Sequence, residues 1–572
     1  MVKLSEALQT VNQARGNVQP FTVALACGFT PLHLQTYLVA HLQGWLPGRR
    51  VELQTGLFGD LAGTLEHISE SDAITLVMEW QDLDPRLGFR SLGGWGPSET
   101  DDIVANVQNS LARIRSAVDR VPAVPMAVAT PTLGLAPAFH TPSWEASQAE
   151  LDLTRAMACF AVGLGSRPST FVINSQRLLE RSPASQRFDL RSELSSGFPY
   201  TLGHADVVGE SLARLIAPPG PKKGLITDLD DTLWRGIVGE EGPEAVSWDL
   251  ASHSQLHGLY QQLLRALAGQ GALIGVASKN DPEVVERAFT RADLLLGKDH
   301  IFPIEAHWDA KSKSVARILQ TWNIGADSVV FVDDSLLELA EVKAAFPEIE
   351  TIQFPKDDPA AMERVLRKIR DLFGKRSVTG EDALRLDSIR RSAEFRLEAA
   401  SPADPESFLA NTGAKMVVEF NAPDSRMLEL VNKTNQFNLN GCRKTEAEWQ
   451  KELDEPGAFS IAVSYEDKYG PLGKIAVIQG AHHDRVVEVS TWVMSCRAFS
   501  RRIEHRCLEI LIDRFGAREL RFQFAPTPKN DPVSAFFRPY LNAKPEGPFS
   551  LDPERFLAVL PRLYHQVEYA NG

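Results

Sequence analysis

Residues 225–242 read LITDLDDTLWRGIVGEEG. A short apolar run ends on three aspartates within four positions, Asp228, Asp230 and Asp231, and Thr232, an aromatic residue and a glycine-rich stretch follow. This is the pattern of a buried strand that delivers carboxylates to the end of a parallel sheet, where open α/β folds bind their ligands. Neighbouring segments complete the picture. ALIGVAS (272–278) ends at Ser278, SVVFVDD (328–334) ends at Asp333 and Asp334, and HWDAKSKS (307–314) places Lys311 between those two strands. Carboxylates gathered at this density repel one another unless a hard cation lies among them, and Mg²⁺ favours one or two carboxylates with waters and substrate phosphate. With the cation in place, one carboxylate can attack phosphorus while Lys311 and the Ser278 hydroxyl bind the equatorial oxygens.

Around this centre the chain divides into three parts. At 572 residues it is too long for one hydrophobic core, and its 44% hydrophobic and 23% charged content is that of a globular protein. Two breaks rich in Pro, Gly or charge, APPGPKKG (217–224) and the stretch 376–408, mark the joints. The first part, 1–216, alternates strand-like FTVALACGF and DAITLVMEW with helix-like PLHLQTYLVAHLQGWL. The middle part, 222–375, repeats the alternation with KGLITD, ALIGVAS, SVVFVDD and ETIQFP between helical segments. After a charged helical linker, 376–404, the last part, 405–572, is richer in sheet, with AKMVVEF, FSIAVSYED, KIAVIQGAHH and VVEVSTWVMSC before the helix RRIEHRCLEILIDRFG. The expectation is a multidomain α/β chain with a more sheet-heavy α+β end.

Composition narrows the class. The net charge of -14, from 60 Lys+Arg against 74 Asp+Glu, offers no basic field for nucleic acid or anionic lipid. MVKLSEALQTVNQARG has no apolar signal core, and no later stretch is long enough to span a bilayer, so a cytoplasmic location without membrane or nucleic-acid partners is expected. Five cysteines, Cys27, Cys159, Cys442, Cys496 and Cys507, stand singly, which leaves neither zinc spacing nor a disulfide framework.

D-L-D-D-T at 228–232, Ser278, Lys311 and D-D at 333–334 resemble the four motifs of the haloacid dehalogenase superfamily of phosphatases and phosphotransferases. The resemblance implies Asp228 as nucleophile, Asp230 as general acid/base that also offers its backbone carbonyl to Mg²⁺, and Asp333 as a further metal carboxylate with Asp334 beside it. Thr232 and Asn280 fall inside the same motifs and are carried over as catalytic and substrate-binding groups. DLDDTLWRGIVGEEG, ASKND (277–281), WDAKS (308–312) and FVDDSLLELAEV (331–342) resemble the FkbH-like branch, and LVNKTNQFNLNGCRKT (430–445) and MSCRAFSRRIE (494–504) resemble its acetyltransferase-like C-terminal region. Members of that branch dephosphorylate 1,3-bisphosphoglycerate and load its glyceryl group onto the phosphopantetheine thiol of an acyl carrier protein in polyketide biosynthesis. The resemblance further implies a central Rossmann-like haloacid dehalogenase domain, a C-terminal domain like the GCN5-related acetyltransferases, and an SGNH-hydrolase-like first part. The first part has no Gly-Asp-Ser after its first strand and no Asp-x-x-His, so hydrolase activity is not expected of it. A stand-alone small-molecule phosphatase, a carrier-binding scaffold without turnover, and the same machinery with another acyl donor remain as alternatives.

The chemistry of such a substrate calls for two nucleophiles. Attack by Asp228 on the ester phosphate preserves the acyl phosphate, and a thiolate attacking the latter forms a thioester that exchanges onto another thiol. Cys507 lies on an apolar stripe with Ile503 and Leu511, while Cys27 and Cys159 sit in apolar runs, so all three read as core, and Cys442 is a weaker candidate in a turn. Cys496 ends a strand beside Arg497 and a helix start, with Arg501 and Arg502 close behind, conditions that favour a thiolate. The family's S-C-R motif falls on the same position. Asn435 and Gln436 are read as possible binding groups. Arg235 stands where a glycine is expected and either meets substrate phosphate or is solvated. In the loop that acetyltransferases write [Q/R]-x-x-G-x-[G/A], this chain keeps Arg497 but has Ser500 and Arg502 in place of the glycines, which argues against free acetyl-CoA. The arginine run from Arg497 to Arg518 is read as a basic patch for an acidic carrier.

Overall fold

The computed structural model describes residues 2–570 apart from 14–18, 47, 69, 91–94, 136–140, 376, 377, 379–381, 383, 400–404, 435 and 542. The chain forms two compact units, Met1–Pro219 and Gly220–Gly572, with the break inside the Pro/Gly stretch at 217–224. Among the described residues no helix is long and apolar enough to cross a membrane.

The first unit is built on five strands: β1 (Gln19–Cys27), β2 (Arg49–Thr55), β3 (Ala73–Val77), β4 (Met126–Ala129) and β5 (Thr170–Val172). They pair in the order β2-β1-β3-β4-β5, all parallel. Successive side chains of a strand face opposite sides, and here both sides are covered. Val23, Leu25 and Cys27 of β1 join one core, with helices Leu32–Trp45 and Leu202–Ile216, while Ala24 and Ala26 join the other, with helix Thr100–Val118. Cys27 is buried as expected, but Cys159 is exposed. The apolar stripe of its helix, Gln148–Gly165, runs through Leu153, Met157, Phe160 and Leu164, and Cys159 lies beside that stripe rather than on it.

The second unit opens with another parallel sheet of five: β6 (Gly224–Thr227), β7 (Leu273–Ser278), β8 (Ile304–Ala306), β9 (Val329–Asp333) and β10 (Glu350–Gln353), ordered β10-β9-β6-β7-β8. Leu225, Ile274, Val276, Val330 and Val332 pack into one face, whereas Ile226, Leu273, Ala277, Val329 and Phe331 pack into the other. The strand order turns back on either side of β6, so β7 and β9 both flank it in register, Thr227 opposite Val276 and Val332. The carboxyl ends of these three strands therefore emerge together. β8, only three residues long, carries no periodic signal and escapes the sequence reading.

A mixed sheet completes the unit: β11 (Lys415–Phe420), β12 (Phe437–Asn438), β13 (Ala458–Asp467), β14 (Gly470–His483), β15 (Val486–Met494), β16 (Glu519–Phe522), β17 (Phe549–Leu551) and β18 (Gln566–Ala570). The path is β17-β16-β15-β14-β13-β11-β18, with β12 paired to β15. Only β15/β16 and β11/β18 are parallel, which makes this portion α+β as its sequence indicates. Helix Arg385–Ala399, from the charged stretch, is held on one side by Arg390 donating to the Ile301 carbonyl at 3.1 Å, and buries Ile389 and Phe395.

Trp322 is the fully buried plug of the second sheet's far face, and its Nε1 donates to the Phe302 carbonyl at 2.6 Å. A Cβ on Gly224 would lie 2.4 Å from its ring, and one on Gly275 2.8 Å. Both strands need a glycine there to accept the indole. Gly224→Ala is expected to lower stability by about 1–3 kcal/mol through overpacking. The check is the urea midpoint followed by tryptophan fluorescence; an unchanged midpoint would contradict this packing.

Candidate active site

Asp228 follows β6, Ser278 ends β7 and Asp333 ends β9, and Lys311 opens the helix Lys311–Trp322. All four side chains are buried. The Lys311 ammonium bridges the two carboxylates, with Nζ 2.9 Å from Asp228 Oδ1 and 2.5 Å from Asp333 Oδ2. The other Asp333 oxygen accepts the Ser335 amide at 2.9 Å. Carboxylate oxygens of Asp228, Asp333 and Asp334 come within 4.8 Å of one another. Burial pushes both buried carboxyls up, Asp333 to about 7; repulsion from Asp228 adds to the rise at Asp333 and repulsion from Asp230 to that at Asp228, while Lys311 opposes both. Burial likewise works against the Lys311 charge, but the two carboxylates outweigh it and hold the ammonium above its ordinary value. Removing one partner of such a buried cluster leaves uncompensated charge, at a cost of about 3–5 kcal/mol. Lys311 between Asp228 and Asp333, and a second lysine at Asp334, offset only part of this charge, and the three carboxylates offer hard oxygen donors, a set that fits a hard divalent cation.

The surrounding side chains are held in turn. Thr232, fully buried, accepts the Asp334 amide on Oγ1 at 3.1 Å, which ties the first strand's loop to the third's. Asn280 donates to Ser278 Oγ at 3.0 Å and to Asp230 Oδ2 at 2.9 Å. Asp230 Oδ1 accepts Trp234 Nε1 and the Val238 amide, both at 3.0 Å. The Asp230 carboxylate is thus fixed by three donors and is not among the three clustered carboxylates, so its place at a metal would be through the backbone carbonyl. Asp231 takes a left-handed φ of 51° and accepts the Gly236 amide at 3.0 Å.

Lys356, just after β10, carried no signal in the sequence beyond a strand-end position. Its Nζ lies 2.7 Å from Asp231 Oδ2 and 3.0 Å from Asp334 Oδ2, clamping the outer aspartates. Arg235 does not join the cluster through any of these bonds: it is exposed, donates to the His253 carbonyl at 3.3 Å, and pairs its backbone with Ser247.

Cys496 starts the turn after β15 and is half-buried, while Cys442 is exposed and Cys507 buried. Its carbonyl accepts Asn323 Nδ2 at 3.3 Å. Arg497 turns to Ser495 Oγ (3.2 Å) and Ser388 Oγ (3.3 Å). The Gln436 carboxamide oxygen is buried and accepts no hydrogen bond among the described residues; Asn435 lies outside them. Ser500 and Arg502 take φ values of 67° and 59°, so the loop keeps the left-handed backbone that glycines would adopt freely. Within the arginine run, Arg514 and Arg518 are exposed, but three of the cations are paired. Arg501 is buried, its Nε 2.9 Å from Asp467 and its guanidinium 3.9 Å from the Phe395 ring centre. Arg502 pairs with Glu406 and Arg506 with Glu509. Asp467 and Glu406 reach Arg501 and Arg502 from distant segments, pairings that a one-dimensional count of charge does not reveal.

The first unit holds a polar cluster near the ends of β3 and β4. Glu79 accepts Thr132 Oγ1 and Tyr200 Oη, both at 2.6 Å, and the ring of His204 lies between Thr132 Oγ1 (2.8 Å) and Ser182 Oγ (2.9 Å). All five residues are buried, and burial pulls His204 down to about 3, leaving a neutral imidazole in a structural network.

No protein-family model and no curated protein matches the chain. Among solved structures it is similar to the N-terminal part of the protein BF1531 from Bacteroides fragilis, which contains a phosphatase domain complexed with Mg: 20% identity and a TM-score of 0.53, over 66% of this chain and 100% of that one. At that identity the likeness is one of fold. An uncharacterized protein from Corynebacterium glutamicum ATCC 13032 Kitasato (19% identity, 27% of this chain and 98% of that one, TM-score 0.20) and the salicylyl-acyltransferase SsfX3 from a tetracycline biosynthetic pathway (14%, 34% and 53%, TM-score 0.21) also match, at scores too low to carry an argument.

Proposed function

We propose that this chain is an FkbH-like bifunctional enzyme: a Mg²⁺-dependent phosphatase that removes the 3-phosphate of 1,3-bisphosphoglycerate, joined to an acyltransferase that passes the glyceryl group through Cys496 to the phosphopantetheine thiol of an acyl carrier protein in polyketide biosynthesis. The observation that carries the reading is the convergence of Asp228, Asp333, Asp334, Lys311, Thr232 and Ser278 at adjoining strand ends of one parallel sheet. The fold shared with a phosphatase domain crystallised with Mg supports it.

Asp228 is the nucleophile: its carboxylate oxygen forms the bond to phosphorus as the ester oxygen leaves, and water then cleaves the aspartyl-phosphate. Lys311 already touches this carboxylate and can follow the charge as it passes to the phosphoryl oxygens. Thr232 and Ser278 offer hydroxyls at the same strand ends, and Asn280 orients Ser278. Asp230 takes up acid/base work only by turning away from Trp234, Val238 and Asn280. Mg²⁺, when bound, neutralises carboxylate and phosphate charge together. In the acyltransferase half, Cys496 supplies the thiol, and the buried Gln436 oxygen is an acceptor for an N–H or O–H of the incoming group.

Two measurements test this. Asp228→Asn is expected to cut phosphate release by about 10³-fold or more, whereas Cys496→Ala continues to release phosphate but no longer loads the carrier. Wild-type phosphate release by the first variant, or wild-type loading by the second, would refute the assigned nucleophile. Calorimetric titration of the full chain with Mg²⁺ is expected to show one site that Asp333→Asn weakens by about tenfold or more. Equal binding by the two proteins would place the metal elsewhere.

A further inference from the structure

The loops that follow β6, β9 and β10 are bonded to one another beside the carboxylate cluster, and most of those bonds start from the turn after β10. Gln353, the last residue of β10, donates from Nε2 to the Asp334 carbonyl at 3.2 Å. The next residue, Phe354, donates its amide to the Asp333 carbonyl at 2.9 Å. Its ring is buried against His257 and Tyr260, with centroids 5.0 and 5.2 Å away. The turn therefore leaves from a fixed point next to both aspartates. Two residues on, the Lys356 amide donates to the Phe354 carbonyl at 3.1 Å, and the Lys356 side chain returns to the aspartates.

The two aspartates that Lys356 touches are held differently. Asp334 is one of the three clustered carboxylates, and its backbone is fixed on both sides, the amide by Thr232 and the carbonyl by Gln353. What remains is rotation of the side chain, and Lys356 Nζ, 3.0 Å from Oδ2, restrains it. Asp231 is not in the cluster: Oδ1 accepts the Gly236 amide at 3.0 Å, and Oδ2 lies 2.7 Å from the same Nζ. The Asp231 carboxylate thus offsets the charge of the ammonium, so a cation at the cluster meets a restrained carboxylate beside a balanced ion pair and not a bare lysine. Lys356 is 39% exposed, Asp231 25% and Asp334 21%. Pairs at that exposure add little to stability, which makes the arrangement a matter of orientation more than of folding.

We propose that Lys356 is a positioning residue for the divalent cation: it holds the Asp334 carboxylate where that group can bind the metal, while Asp231 takes up the charge of the ammonium. The inference rests on the reading of Asp228, Asp333 and Asp334 as the metal site. A carboxylate that binds a metal is commonly oriented by an outer partner, and loss of the partner lowers metal affinity by about 10- to 100-fold. Without the ammonium, Asp334 keeps its backbone bonds to Thr232 and Gln353, but its carboxylate turns toward solvent and the metal must order it again on binding.

The test is calorimetric titration of the full chain with Mg²⁺ alone, no substrate being present. Lys356→Met is expected to weaken binding by about tenfold, and Lys356→Arg, which keeps a cation within reach of both carboxylates, to retain most of the affinity. In the Asp334→Asn background the carboxylate to be held is gone, so Lys356→Met is expected to cause no further loss. A lysine that merely kept the loops together would cause the same loss in both backgrounds. Equal or tighter binding by Lys356→Met, or an undiminished loss in Asp334→Asn, would overturn the role. A wild-type chain that binds no Mg²⁺ would overturn the metal site and this role together, whereas wild-type binding that Lys356→Met leaves unchanged removes the role alone.

Discussion

One ammonium group between two buried carboxylates organises the carboxyl end of the second parallel sheet. Asp228 and Asp333 are brought side by side because β6 and β9 are parallel neighbours, and they can be buried there only because Lys311 is buried with them. Lys311 is the first residue of a helix whose far end is packed by Trp322 against Gly224 and Gly275, so the glycines of the sheet are coupled to the position of the Lys311 ammonium. Asp334 is held by its backbone amide, which donates to Thr232, and by its carboxylate, which pairs with Lys356.

Much of this was legible in the sequence because a parallel strand writes its position as an uninterrupted apolar run and its function at the residue where that run stops. The ends of β7 and β9 could be read in that way to the residue and that of β6 to within one. The features that were not legible depend on contacts between distant segments. Lys356 is a lysine after a short strand until Asp231 and Asp334 are folded against it. Arg501 and Arg502 look like part of a basic surface until Asp467 and Glu406 are folded against them. Cys159 sits in an apolar stretch but one step away from the buried stripe, a distinction that depends on the rotation of one helix. Short strands such as β8 and β12 hold their place through their neighbours and have no pattern of their own.

The positions where the chain departs from the patterns it resembles have a common physical character. Ser500 and Arg502 keep a left-handed backbone without glycine, and the Arg501 side chain between them is turned inward onto Asp467 and Phe395. The loop is thereby filled by the protein's own charge. In the first unit, too, the polar groups near the strand ends are turned inward, with Glu79, Thr132 and His204 satisfying one another in the core.

What links these observations is the proposed division of one substrate's two phosphates between two nucleophiles, Asp228 and Cys496. The most direct measurement is the intact mass of an acyl carrier protein, bearing its phosphopantetheine arm, after incubation with the wild-type full chain, Mg²⁺ and 1,3-bisphosphoglycerate. The expected result is a carrier heavier by one glyceryl group that carries no phosphate. A carrier of unchanged mass in a reaction that has released phosphate from the substrate would contradict the account and reduce the protein to a phosphatase.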